Sequence, residues 1–165
     1  MDMFVEKIVK RRKSGLSIAI AAGILIVAIV ASIALFLFIP TFSPILVAGV
    51  FYLAYMVITK QNIEYEYIVT SSDLDIDMII NQKKRKRVFT ASCKEFETVA
   101  RVKSDKYTSE IKACKNVKDY SSHKENADVW FIYTKQGAPT VILFEPTQTM
   151  IDIFYTFAPR KVFKY

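Results

Sequence analysis

The residues best equipped for chemistry in this chain are five consecutive cations, Lys83-Lys84-Arg85-Lys86-Arg87. Side chains at that density can hold anionic phosphates. Against an acidic bilayer each contributes on the order of 1 kcal/mol, provided it comes within a Debye length of about 8–10 Å. A solvated hairpin turn that biases membrane topology explains the same run, its charge partly neutralised by neighbouring aspartates across the strands. Nucleic-acid surfaces interleave cations with exposed aromatic rings. This run meets none until Phe89, which the strand pattern assigns to packing, so no nucleic-acid partner is expected.

Three other groupings invite a chemical reading. Asp73, Asp75 and Asp77 match the opening of a calcium loop, but the glycine that loop needs is absent and Lys84 stands where its closing glutamate belongs. As alternate residues of a strand they form one polar face. His123, the only histidine, lies beside Ser121 and Ser122 with Asp119 nearby. Triad members normally converge from separate elements, and residues 118–126 read as an exposed loop. Cys93 and Cys114 have no zinc spacing and no second histidine to activate a thiolate; they read as buried small residues in a reducing compartment. The four glycines are scattered, so there is no phosphate-cradling loop. No catalytic residue, metal site or cofactor is expected, and the chain reads as a non-enzyme.

The elements that would position these groups begin with a membrane anchor. The chain has 165 residues, 52% of them hydrophobic, and a formal charge of +7. Ser17–Ile39 and Ile45–Thr59 carry no charged side chain, and Lys7, Lys10, Arg11, Arg12 and Lys13 precede them. At 1.5 Å per residue the first stretch reaches about 35 Å, against a hydrocarbon core of about 30 Å. The second, from Pro44 to Thr59, reaches about 24 Å and needs Lys60 to snorkel or the bilayer to thin. Ser43 reads as its N-cap, with Pro44 at the first helical position. Pro40-Thr41-Phe42-Ser43-Pro44 is short enough only for a tight hairpin.

Both chain ends therefore share a compartment, and the cations assign it to the cytoplasm, in a multi-pass plasma-membrane protein. A cleaved signal fits the basic start, but the apolar stretch runs through Ile39 and a second follows. Ala19 and Gly23, four apart, share a face where backbones can approach, within the hairpin or between copies in a homo-oligomer. No acid, base or histidine lies inside either helix, which argues against a proton relay.

The expected organisation is thus a basic cytosolic N-terminus (1–16), a transmembrane helical hairpin (17–39 and 44–59) and a cytosolic β domain (60–165). That domain has about a hundred residues, enough for one core. Ile63, Tyr65, Tyr67 and Val69 alternate with Glu64 and Glu66; Leu74, Ile76 and Met78 alternate with the three aspartates. The basic run reads as the following turn, with a third strand from Arg87 to Ala91 and a fourth over Phe96–Val102. Strands are also expected near Glu110–Ala113 and Asn116–Ser121. Val129–Tyr133 and Val141–Phe144, apolar on both faces and joined by a turn at 135–139, predict a central hairpin. Met150, Ile153, Phe154 and Phe157 form a helical stripe over 147–158, capped by Thr147 and stopped by Pro159.

Short antiparallel strands closed by one C-terminal amphipathic helix resemble the pleckstrin-homology-like (PH-like) fold, an α+β antiparallel sheet or barrel. With a helical hairpin before it, the chain resembles bacterial PH-like membrane proteins of the YcxB type, an uncharacterised two-helix family. The likeness rests on Glu64-Tyr65-Glu66-Tyr67-Ile68-Val69-Thr70, on Leu74-Asp75-Ile76-Asp77 with its basic sequel, and on Phe144-Glu145-Pro146. It implies a fold and a location but no reaction. Inositide-binding relatives carry cations in the loop after their first strand, where this chain has Ser71-Ser72-Asp73, so inositide recognition does not transfer. The expected function is a membrane-anchored binding module whose partner is a lipid headgroup or an unknown protein. The alternative is a structural subunit assembled through its helices in a larger membrane complex.

Overall fold

A computed structural model describes residues 3–135 and 137–164; Met1, Asp2, Gln136 and Tyr165 lie outside the described residues. The chain divides into two compact units, Met1–Arg12 with Glu64–Ile79 and Lys84–Tyr165, and Lys13–Ile63 with Ile80–Lys83.

The second unit is built on two apolar helices. Ser14 caps α1 (Gly15–Phe38), its hydroxyl accepting from Ser17 N at 3.2 Å. A turn at 40–42 leads into α2 (Ser43–Thr59). Ser43 is not the N-cap: Phe42 is, and Ser43 is already helical, its hydroxyl donating to Pro40 O at 2.9 Å. The helices pack on each other, and their buried positions are Ala28 of α1 with Ser43 and Ala54 of α2. Small side chains there let the backbones approach. Ala19 and Gly23 are exposed, and a Cβ added at Gly23 would meet nothing within 4 Å. The seam inside the hairpin therefore does not use them. Large apolar side chains such as Leu37, Phe38 and Ile45 face outward.

The first unit contains a strand absent from the sequence expectation. β1 (Phe4–Lys10) pairs antiparallel with β2 (Ile63–Thr70), Phe4 opposite Thr70 and Lys10 opposite Glu64. The N-terminal segment thus belongs to the β domain, and α1 and α2 are an insertion between its first two strands. Its weak signal has a cause: an edge strand needs only one apolar face, and of its residues only Val9 is buried.

β3 (Asp73–Ile80) and β4 (Lys84–Ser92) complete a sheet ordered β1-β2-β3-β4. A second sheet, ordered β5-β7-β8-β6, comprises β5 (Phe96–Arg101), β6 (Asn116–Asp119), β7 (Trp130–Thr134) and β8 (Thr140–Phe144). β7 and β8 are central, as their apolar runs predict. β6 runs parallel to β8, so the sheet is mixed. The strand expected at Glu110–Ala113 is instead part of a short helix, α3 (Ser109–Lys112), where Thr108 caps the Ile111 amide. Within the turn at 135–139, Gly137 takes φ +78°, the left-handed region that suits glycine.

The expected barrel is not closed. A capped 3₁₀ turn at Cys93–Glu95 ends the first sheet's last strand and starts the second sheet. The outer edge of β5 is covered by the C-terminal tail: Val99 N donates to Lys161 O and Phe163 N to Val99 O, both at 2.8 Å. Between the sheets, Tyr67 meets Phe144 edge-on at 5.8 Å, and Phe154 of α4 (Gln148–Phe157) meets Phe96 at 5.8 Å. Fully burying such rings contributes about 1.5–3 kcal/mol each. α4 buries Met150, Ile151, Ile153 and Phe154, while Phe157 stays 39% exposed, so the apolar stripe turns one position earlier than expected. A second cluster (Ala100, Ile111, Phe131, Val141) packs under Tyr107, which is why β7 is apolar on both faces.

Candidate functional site

The cationic run lies in a strand, not in a turn. Asn81 and Gln82 make the bend at φ +51° and +55°, with Lys83 N donating to Ile80 O at 3.1 Å, the geometry of a type I′ hairpin turn. Asparagine tolerates that region better than most residues, which is the signal for a turn before the cations rather than within them. From Lys84 onward the chain is β4, so successive side chains point to opposite faces.

That alternation separates the arginines from the lysines. Arg85 and Arg87 lean over the first sheet. Arg87 Nε lies 2.9 Å from Asp77 Oδ1 and its Nη1 2.8 Å from Asp75 Oδ2, while Thr90 Oγ1 donates to Asp75 Oδ1. The hydrogen bond to Asp77 holds the Arg87 guanidinium above its ordinary pKa. Arg85 Nη2 reaches Glu66, donating to Oε1 at 3.1 Å and lying 3.0 Å from Oε2. Glu66 is only 4% exposed and Asp77 5%. Glu66 Oε2 has no hydrogen bond of good angle and depends on the Arg85 charge. A buried carboxylate without its cation is costly, so these arginines are committed to the fold. Lys83, Lys84 and Lys86 are exposed and make no ion pair among the described residues. The five candidate residues are contiguous, but they do not form one equivalent set.

Several cations of the N-terminus are likewise committed to the fold. Arg11 Nη1 donates to Tyr65 Oη at 3.2 Å, Arg12 pairs with Glu125 at 2.9 Å, and Lys7 Nζ donates to Glu145 O at 2.8 Å. Arg12 N also donates to Ser122 O at 2.7 Å, and Ser122 N to Glu145 Oε1 at 2.5 Å. The loop at 119–125 is thereby stitched to the end of β1. Lys13 and Lys60, like the three lysines of the run, have no ion-pair partner among the described residues.

Around His123, which takes φ +58°, the structure does bring Asp119, Ser121 and the imidazole together. The order is wrong for nucleophilic activation. Asp119 sits in the middle, accepting from Ser121 Oγ at 2.7 Å on one oxygen and lying 3.1 Å from His123 Nε2 on the other. Arg11 Nη2 is 3.5 Å from the same Nε2. Ser121 and Ser122 are buried. The arrangement reads as a loop clamp.

Cys93 is wholly buried; desolvation, reinforced by the Asp73 charge, pushes its thiol up to about 12. Cys114 is half-buried, its thiol 3.1 Å from Pro139 O, at an open cleft of about 430 Å³. Burial likewise raises the Tyr67 and Tyr120 hydroxyls; Tyr67 Oη donates to Tyr120 O at 2.6 Å. A second open cleft, about 660 Å³, is lined by Tyr155, Arg160, Phe163 and Lys164.

A family model described as the bacterial PH-like domain DUF6106 matches residues 1–164. The chain belongs to this family. Because the match starts at the N-terminus, it takes in β1 and both helices together with the PH-like sheets. No curated protein and no solved structure matches the chain. Among the described residues one helix, Gly15–Phe38, is long and apolar enough to cross a membrane; Ser43–Thr59 is a shorter apolar helix.

Proposed function

We propose that this protein is a membrane-anchored, non-catalytic PH-like module, held by a helical hairpin with its β domain in the cytoplasm. The observation that carries this reading is the pairing of β1 with β2. Two strands of one ladder lie about 5 Å apart and cannot sit on opposite sides of a bilayer. The chain between them crosses an even number of times. If α1 spans, as its length of about 36 Å allows, α2 must return. At about 26 Å, α2 returns with thinning or with Lys60 snorkelling. The outward Leu, Ile and Phe side chains of both helices favour lipid over water as their solvent. A cleaved signal fits poorly, because cleavage after α1 would remove β1 from its sheet.

The domain's role in this reading is binding. Asp119, Ser121 and His123 are bonded to one another and Cys93 is buried, while its surface offers cations and short strand edges. Orientation follows from Lys13 and Lys60, which flank the helices, and from the uncharged tip at 40–42.

The test uses a chain carrying Cys93→Ala and Cys114→Ala, with one new cysteine at Thr41 or at Ser109. In intact cells an impermeant maleimide should label Thr41→Cys and not Ser109→Cys, and the protein should stay with membranes through an alkaline wash. Labelling of Ser109→Cys from outside, or release by the wash, overturns the proposal. A second reading, assembly through the helices, draws on the exposed Ala19 and Gly23. A Gly23→Leu chain that keeps the wild-type oligomeric state in detergent removes that version.

A further inference from the structure

We infer that the lysines of the helical unit, Lys13, Lys60 and Lys83, form a contact surface for anionic lipid headgroups, and that the neighbouring arginines Arg11, Arg12, Arg85 and Arg87 take no part. The inference rests on the membrane-anchored reading. Its basis is a division of labour. Arg11, Arg12, Arg85 and Arg87 each have a named partner in the β domain, whereas none of these three lysines has an ion-pair partner among the described residues. The planar guanidinium fork suits fixed, part-buried pairing, and the strongly hydrated, flexible ammonium suits a fluid array of phosphates.

Location supports the same partner. The turn Ile80–Lys83 belongs to the helical unit, where Asn81 N donates to Asn62 O at 2.8 Å, just past the end of α2. That unit contains Lys13, Lys60 and Lys83 and not one acidic residue. A bilayer is the acidic partner that the flanking apolar helices already select. A nucleic acid would find no exposed aromatic ring interleaved with these lysines.

The full chain is reconstituted in vesicles of phosphatidylcholine with a minority of phosphatidylglycerol, and spin-labelled versions of both lipids report which is retained at the protein. Flotation of the washed vesicles checks insertion separately. Wild type should retain phosphatidylglycerol over phosphatidylcholine, more so at low salt. Lys13→Gln, Lys60→Gln and Lys83→Gln together should bring that ratio close to one. The same charge change at Lys103, Lys118 and Lys124 should leave it unchanged. If the protein floats and shows no preference, if the first variant keeps it, or if the control loses it equally, the inference is wrong while the anchor stands. If the protein does not float, the membrane reading itself has failed. Displacement of phosphatidylglycerol by added duplex DNA at physiological salt would assign the surface to nucleic acid and overturn the lipid proposal.

Discussion

Lys10 stands directly opposite Glu64 in the β1–β2 ladder, with the whole of α1 and α2 between them in the chain. The β domain closes its first strand pair only after both helices have been made. A strand added from so far away carries a loop-closure cost that grows slowly with length, and a compact hairpin that brings its own ends together reduces it. The domain and the hairpin are therefore one folding problem, and several outcomes follow.

A fragment spanning 60–165 lacks β1. It leaves the ladder edge of β2 unpaired and removes Val9, Lys7 and Arg12 from their partners. We expect it to be markedly less stable than the full chain and prone to associate through that edge. A peptide spanning 3–12 should bind it and raise its melting temperature; no shift on addition of the peptide contradicts the role given to β1.

Arg85→Gln should destabilise the domain because Glu66 is left buried without a cation. Removing one member of a fully buried pair costs about 3–5 kcal/mol. Arg85 is 57% exposed, so screening reduces this to about 1–2 kcal/mol. Converting Glu66 to Gln in the same chain should restore much of the loss. A double-mutant cycle with no coupling would show that Glu66 does not depend on Arg85.

The two cysteines should differ sharply in reactivity. A thiol reagent near neutral pH should modify half-buried Cys114 and leave wholly buried Cys93 untouched until the protein unfolds. Burial raises the Cys93 thiol from 9.0 to about 12. Below the lower value both folded and unfolded chains keep the proton. Between the two values the unfolded chain loses it first, so stability falls as pH rises. The denaturation midpoint should drop between about pH 9 and about pH 12, and Cys93→Ala should reduce that drop. Equal slopes in the two proteins would mean that Cys93 does not drive the alkaline loss.

Ala28 and Gly23 separate the hairpin seam from its outer face. Ala28→Leu puts a large side chain where the helices meet and should cost about 1–3 kcal/mol of hairpin stability. Gly23→Leu adds its side chain to open space and should leave the melting temperature in detergent unchanged or slightly higher. The reverse ranking would place the seam on Gly23 instead.

By itself the sequence determined what depends on short-range pattern. The two charge-free stretches could only be apolar helices. The alternation around Tyr65, Tyr67, Leu74 and Ile76 could only be half-buried strands, and Thr147 with the stripe through Phe154 could only be the capped C-terminal helix. Periodicity and capping are local properties, readable without knowing what lies opposite. Tertiary structure alone decided which distant segments meet. It enrolled Phe4–Lys10 in the sheet, left the barrel open and made the strand beside β8 parallel. It also divided a uniform-looking run of cations into arginines that neutralise buried carboxylates and lysines with no ion-pair partner among the described residues. The physical reason is the same in each case. Pairing partners, burial and desolvation are set by residues far away in the chain, and a side chain's charge says nothing of whether Glu66 or water stands in front of it.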